Sequence, residues 1–114
     1  NWDVQSNWYR FERMRPYIRE IGIKENDKII SLPDFSFNTS LYLVGQKGWT
    51  NFSNYNKKED IENLIDKGAK YLFISNPELL SKEFLHSFLI NKVGSFEGIE
   101  IFKLTEDEDI NESN

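Results

Sequence analysis

Lys28-Ile29-Ile30-Ser31-Leu32-Pro33-Asp34 is the stretch that decides the fold of this chain. Its β-branched, apolar centre lies between turn-forming residues, which is the pattern of a short and fully buried strand. The proline ends the strand because it has no amide hydrogen to donate to a neighbouring strand. In a parallel α/β sheet, the loop after such a strand is where ligands usually bind. The stretch therefore bears on both fold and function.

A second stretch of the same kind runs from Lys70 to Ser75, with four apolar residues in a row. Asn76-Pro77-Glu78 closes this strand in the way that Pro33-Asp34 closes the first. An amphipathic helical segment between Asn56 and Gly68 separates the two strands. A strand, helix, strand order makes parallel pairing in one sheet the default expectation.

The first helix is predicted from about Ser6 to Ile21, where apolar residues recur every three or four positions. Pro16 interrupts this pattern, so we expect either a kink or a helix that restarts with Pro16 in its first turn. Gly22 occupies the position of a left-handed C-terminal cap.

Three further helical segments are predicted. Thr39 to Val44 has an ambiguous pattern that could form a short helix, capped by Ser36 or Asn38. In the next helix, Asn56 and Glu59 resemble a capping box, in which each side chain accepts from a backbone amide near the other residue. A last helix is expected from about Pro77 to Ile90.

The C-terminal part predicts a β-hairpin of Val93 to Phe96 and Ile99 to Leu104 about Glu97-Gly98. Together the elements predict an α/β fold, a small Rossmann-like sandwich with a mixed, mostly parallel sheet and flanking helices. Residues 22–104 form the single α/β domain, and residues 105–114 form an acidic, disordered tail.

The composition limits the classes of function. With 114 residues, a net charge of −5 and a mean hydropathy of −0.60, the chain has no apolar run of the roughly 20 residues that a membrane span needs. It contains no cysteine, which excludes disulfides and thiol catalysis. The acidic balance argues against nucleic acid as a partner. Four arginines cluster in the first helix and are interpreted as a solvated face, with phosphate or lipid headgroups as the alternative; they are Arg10, Arg13, Arg15 and Arg19.

Two carboxylates are the first candidates for chemistry. Asp34 and Glu78 follow neighbouring strands and should lie at the same edge of the sheet, where two carboxylates could perform acid-base work or bind a metal. The favoured interpretation is structural, in which both stabilise the N-termini of helices. The polar residues Ser36, Asn38 and Asn76 accompany them as candidate ligand contacts.

Trp49 is the second candidate. After Gly48, its ring could stack on a sugar, although a tryptophan beside a turn is more often part of the core. Tyr42 has the same two interpretations. His86 is the only histidine and is predicted to lie on a helix surface, and neither metal-ligand spacing nor a glycine-rich phosphate loop is present. We therefore predict no catalytic residue, no metal site and no cofactor in this part of the protein.

The chain resembles the soluble C-terminal region of bacterial polytopic glycosyltransferases, over roughly residues 22–104. These enzymes are similar to the dolichyl-phosphate-mannose protein mannosyltransferases and the aminoarabinose lipid A transferases. The pairing of Pro-Asp with Gly-Trp-Thr is the most specific part of the resemblance. The residues that carry it are Ile30 to Asn38, Leu41-Tyr42-Leu43, Gln46 to Thr50 and Gly68 to Leu72.

The resemblance implies that catalysis takes place in a membrane-embedded part of the same chain. In that family an acidic residue of an extracytoplasmic loop engages a sugar linked to a polyprenyl phosphate, and no position here matches that loop. The chain would then be a non-catalytic, periplasmic accessory domain of a mannosyltransferase-like membrane protein. It would aid acceptor recognition or order the active site, and residues 1–21 would connect it to the membrane region. A glycan, a lipid-linked sugar or a protein acceptor would be its partners.

Two other hypotheses remain open. The first is a free-standing α/β module that binds a small molecule or a sugar nucleotide at the strand-end crevice. The second is a small hydrolase that uses Asp34 and Glu78, for which the chain offers no convincing nucleophile or histidine base.

Overall fold

The computed structural model describes residues 4–34, 39–50 and 57–104. Five strands form one sheet in the order β2-β1-β3-β5-β4. The elements in chain order are α1 (Val4–Arg13), α2 (Arg15–Glu20), β1 (Lys28–Leu32), α3 (Thr39–Val44), β2 (Lys47–Thr50), α4 (Lys58–Asp66), β3 (Ala69–Ile74), two 3₁₀ helices (Pro77–Ser81 and Glu83–Phe88), β4 (Lys92–Phe96) and β5 (Ile99–Lys103).

The sheet is mixed, with four strands running in one direction. β1 pairs in parallel with both β2 and β3, whereas β5 is antiparallel to β3 and to β4. β4 and β5 form the predicted hairpin, and both turn residues have positive φ angles, 48° at Glu97 and 87° at Gly98. The predicted α/β class, the mixed sheet and the C-terminal hairpin are therefore confirmed.

Each face of the sheet is covered by its own apolar core. Alternate residues of a strand point to opposite faces, so Ile29 faces α1, α2 and α3, whereas Ile30 faces α4 and the 3₁₀ helices. The first core contains Phe11, Met14, Ile18, Ile23, Ile29, Leu41, Val44, Phe73, Ile99 and Ile101. The second core contains Ile30, Leu32, Ile61, Leu64, Ala69, Leu72, Ile74, Leu85, Phe88 and Phe102.

The described part of residues 1–21 belongs to this packed unit. It forms two helices with Pro16 in the first turn of α2. Of the two predicted outcomes, a kink or a restart, the structure therefore shows the restart. Phe11, Met14 and Ile18 are almost completely buried in the first core beside strand residues. Gly22 follows with φ 103°, the left-handed conformation expected of a C-terminal cap.

The predicted helix from Pro77 to Ile90 is wrong in type. Two 3₁₀ helices take its place, separated by Lys82 in an extended conformation. A 3₁₀ helix has three residues per turn, and the buried residues of the second one, Leu85 and Phe88, are three positions apart. Both residues pack in the second core, and Lys82, extended at ψ 130°, interrupts the helical winding between the two segments.

The predicted capping box of α4 is shifted along the chain. The helix begins at Lys58, and the carboxylate of Asp60, not Glu59, accepts the backbone amide of Lys57 at 3.1 Å. Asn56 lies outside the described residues, as does the predicted tail at 105–114. In the described part of the chain, no helix has both the length and the apolar composition to cross a bilayer.

Candidate functional site

Asp34 lies after β1 at the carboxyl edge of the parallel strands, where it was predicted, but its side chain is buried. It is 1% exposed, and its carboxylate accepts the backbone amide of Ser40 at 2.9 Å and the Ser40 hydroxyl. Ser31 Oγ on β1 lies 2.8 Å from Ser40 Oγ. Asp34 therefore ties the start of α3 to the end of β1, which is the work of a helix-capping residue.

Asn76 and Glu78 lie after β3 at the same edge, and both are exposed. The Asn76 side-chain oxygen accepts the Glu78 backbone amide at 3.0 Å and so caps the first 3₁₀ helix. The Glu78 carboxylate is in the first turn of that helix, where a negative charge is favourable.

The two carboxylates engage opposite sides of the sheet. Asp34 contacts α3, whereas Glu78 belongs to a segment whose leucines pack into the second core. No described contact joins Asp34 to Glu78, so the arrangement needed for paired acid-base catalysis is not formed by these contacts. Ser36 and Asn38, the other two candidates of this loop, lie outside the described residues.

Trp49 is half-buried in β2 and packs against the second core. The Lys28 ammonium lies 5.9 Å from the centre of its ring, within the range of a cation–π contact. Gly48 explains how β2 approaches β1, because a Cβ at this position would lie 1.8 Å from the Ile29 carbonyl oxygen. Tyr42, by contrast, is 78% exposed.

Arg13, Arg15 and Arg19 are exposed, as predicted for a solvated face. All four arginines of the first two helices also donate hydrogen bonds within the chain, contacts that we call the arginine clasps. Arg15 donates to the Tyr42 and Leu43 carbonyls at the C-terminal end of α3, where a cation is favourable. Arg19 donates to the Ile23 carbonyl at 3.2 Å. These two guanidinium groups therefore satisfy backbone carbonyls of their own chain while remaining at the surface.

Arg10 and Arg13 hold the turn of the β4–β5 hairpin. Arg10 donates to the carbonyl of Glu97 at 2.9 Å and to that of Ser75 at 3.4 Å, while Arg13 forms a two-point contact with the Glu97 carboxylate. The hydrogen bond from Arg13 lowers the pKa of Glu97 below its ordinary value. Burial lowers the pKa of Arg10. These contacts hold Glu97, a non-glycine residue, in a conformation with a positive φ angle.

A feature that the sequence analysis missed lies at the opposite, amino edge of the sheet. Gln46 is 6% exposed and donates from Nε2 to the Asp27 carbonyl at 2.7 Å and to the Lys24 carbonyl at 3.2 Å. Its Oε1 atom is buried without a hydrogen-bond partner among the described residues. The residue also borders an open cavity of about 530 Å³, lined by Glu25, Asn26, Leu41, Tyr42, Gly45, Gln46 and Lys47.

Gln46 lies in the short turn between α3 and β2. A glutamine in a turn carries no signal of burial, so only the folded chain reveals this cavity. His86 is exposed on the second 3₁₀ helix, as predicted for a surface histidine. Within the described ranges, no group of three or more His, Cys, Asp or Glu side chains is placed to hold a metal ion.

The architecture defines the class of this protein as a small α/β domain with a five-stranded mixed sheet covered on both faces. Comparisons of the chain with protein-family models, with curated proteins and with solved structures found no match.

Proposed function

We propose that the chain is a non-catalytic, extracytoplasmic accessory domain of a membrane glycosyltransferase that takes its sugar from a polyprenyl-phosphate donor. Its role is to aid acceptor recognition or to order the active site, which lies in a membrane-embedded part of the same protein. The proposal starts from the resemblance carried by the Pro33-Asp34 and Gly48-Trp49-Thr50 segments.

One structural observation carries the proposal further: the two segments of the resemblance belong to one packed unit. β1 and β2 are direct neighbours, with Ile30 paired to Trp49 and Ser31 to Thr50. The Asp34 carboxylate, which is the acidic group of the first segment, binds the helix that connects these strands. The motif therefore has an architectural role in this chain, which supports a domain that positions partners and does not itself transfer sugar.

The test begins with the full reading frame. We expect at least about eight apolar segments of roughly 20 residues upstream of this chain, because the catalytic half of such an enzyme is embedded in the membrane. A shorter or wholly polar upstream sequence contradicts the proposal. For a full-length enzyme, we expect sugar transfer in membranes to survive Glu78→Gln and to fall with Asp34→Ala only as far as the folded fraction of the domain falls.

The cavity beside Gln46 favours a second candidate function, a module that binds a small polar molecule such as a sugar nucleotide. A cavity of about 530 Å³ is within the range of small-molecule sites, and Tyr42 offers an exposed aromatic ring at its border. Titration of the isotope-labelled chain with sugar nucleotides distinguishes the sites. Amide shifts around Gln46 and Lys47 support this cavity, and shifts around Ser36 and Glu78 support the strand-end crevice. A flat titration contradicts the module.

A further inference from the structure

Each of the five strands carries a lysine at the amino edge of the sheet. β1, β2 and β4 begin with lysine, the second residue of β3 is lysine, and the antiparallel β5 ends with lysine at the same edge. Adjacent strands lie about 4.8 Å apart, so the row extends for about 19 Å. In spatial order the row is Lys47, Lys28, Lys70, Lys103 and Lys92.

The row is positive even though the chain as a whole has a charge of −5. Lys70 contacts the buried carboxylate of Asp27 at 3.4 Å, and Lys92 forms an ion pair with Glu100. Lys28 and Lys47 are exposed and have no carboxylate partner within the described ranges. Exposed Lys24 and Lys67 add further positive charge in the loops before β1 and β3, while the exposed carboxylates beside them are Glu25 in the first loop and Asp66 at the end of α4.

The two most exposed of the large apolar side chains identified on the described surface lie at the two ends of this row. Tyr42, 78% exposed, borders the same cavity as Lys47 beside the edge strand β2. Ile90, 81% exposed, lies two residues before Lys92 on the other edge strand, and the neighbouring Asn91 carbonyl accepts the Lys103 amide at 2.8 Å. An aromatic ring with a polar end suits the interface of a bilayer, and an isoleucine suits its acyl boundary.

We propose that this amino edge, the lysine row with Tyr42 and Ile90 at its ends, is a docking surface for anionic membrane lipids. Lysines are attracted to an anionic bilayer without needing a fixed geometry, and the exposed apolar residues add burial in the headgroup region. A hydrated polyanion such as a nucleic acid would attract the lysines, but it would not bury the exposed isoleucine in an apolar environment. The proposal does not depend on sugar transfer, because it concerns the purified chain and a lipid surface alone.

The experiment measures binding of the 114-residue chain to lipid vesicles by flotation. We expect binding to vesicles that contain phosphatidylglycerol, weakening as salt is added, and little binding to vesicles of phosphatidylcholine alone. The double variant Lys28→Glu with Lys47→Glu should weaken binding at least about tenfold. Because these lysines are direct neighbours in register, the substitution replaces one like-charged pair with another, and the circular dichroism melt verifies folding.

The matched control is Lys57→Glu with Lys58→Glu, which changes the net charge equally at the start of α4, near the opposite edge. We expect this control to lose much less affinity than the amino-edge variant. Ile90→Ser should weaken binding even at low salt, because it removes an apolar contact. The proposal is overturned if the chain ignores anionic vesicles at low salt, if both charge variants lose affinity equally, or if the lysine row binds heparin or nucleic acid but not lipid.

Discussion

The two edges of the sheet use their polar groups in opposite ways. At the carboxyl edge, Asp34 is buried against Ser40, Asn76 caps its own 3₁₀ helix, and Arg13 clasps Glu97. At the amino edge, exposed lysines begin the strands, and Gln46 borders an open cavity with a buried oxygen that has no described partner.

This difference shows that the position of a residue in a fold does not by itself indicate a ligand-binding function. The carboxyl edge is where ligands usually bind in such sheets. Here, however, Asp34, Asn76 and Arg10 at this edge already bind backbone groups of their own chain. A polar group that already has a partner in its own chain must give that partner up before it can bind a ligand, which costs free energy. At the amino edge, by contrast, Lys28 and Lys47 are exposed and have no carboxylate partner within the described ranges.

The largest effect on stability is expected for Gly48→Ala, which forces β2 away from β1. The substitution therefore disrupts the pairing of these two strands at the amino edge. A Cβ at Gly48 would lie 1.8 Å from the Ile29 carbonyl oxygen, so we expect a loss of more than about 4 kcal/mol in the free energy of unfolding, or no folding. Gly45→Ala is the control: it also has a positive φ, but its Cβ would meet only ordinary contacts, and it should cost about 1 kcal/mol. Equal losses in urea unfolding contradict this account.

Asp34→Ala tests whether the carboxyl edge is structural. The substitution leaves the buried amide and hydroxyl of Ser40 without their acceptor, so we expect a loss of about 3 kcal/mol in the free energy of unfolding. Glu78→Ala removes an exposed carboxylate from the same edge and should cost no more than about 0.5 kcal/mol. If both variants unfold at the same urea concentration as the original chain, Asp34 is not the structural tie described here.

Trp49→Ala measures how much of this ring is core and how much is surface. Because the ring is half-buried, we expect a loss of about 2 kcal/mol, below the 3 to 5 kcal/mol typical of a fully buried aromatic residue. Trp49→Phe keeps much of the apolar contact and should cost less. A loss in the range of full burial would assign Trp49 to the core alone.

The smallest effect is expected at the hairpin clasp, through its pH dependence. The pKa of Glu97 is lowered in the folded chain, so its contribution to stability is present above the ordinary glutamate pKa of about 4.3 and is lost as pH falls through the folded-state value. Thermal melts should therefore separate the original chain from Glu97→Gln at neutral pH and bring them together in acid.

Arg13→Ala removes the other side of this clasp and should show the same pH dependence relative to the original chain. The ion pair of Glu100 with Lys92 is retained in all three proteins, so its own loss in acid cancels from the comparison. A separation between the melts that stays constant down to acid pH contradicts the assignment.

Much of the fold could be predicted from local patterns. The apolar runs around Ile30 and Leu72, the positive-φ glycines at 22 and 98, and the restart at Pro16 each act within a few residues. The error in helix type arose where the local sequence pattern is compatible with more than one helical conformation. The segment that forms the two 3₁₀ helices has an apolar spacing that suits both a 3₁₀ helix and an α-helix, so the spacing alone does not distinguish the two windings.

The sequence by itself determined the two central strands β1 and β3, the helix between them, the α/β class and the hairpin, because turn chemistry and hydrophobic periodicity are local properties. Only the tertiary structure decided which polar groups have internal partners. Arg10 and Glu97 are 87 residues apart in the chain and meet at 2.9 Å in the fold. Hydrogen bonds and burial depend on distances that folding creates. Only the folded chain therefore shows the contact of Asp34 with Ser40, the arginine clasps and the alignment of five lysines.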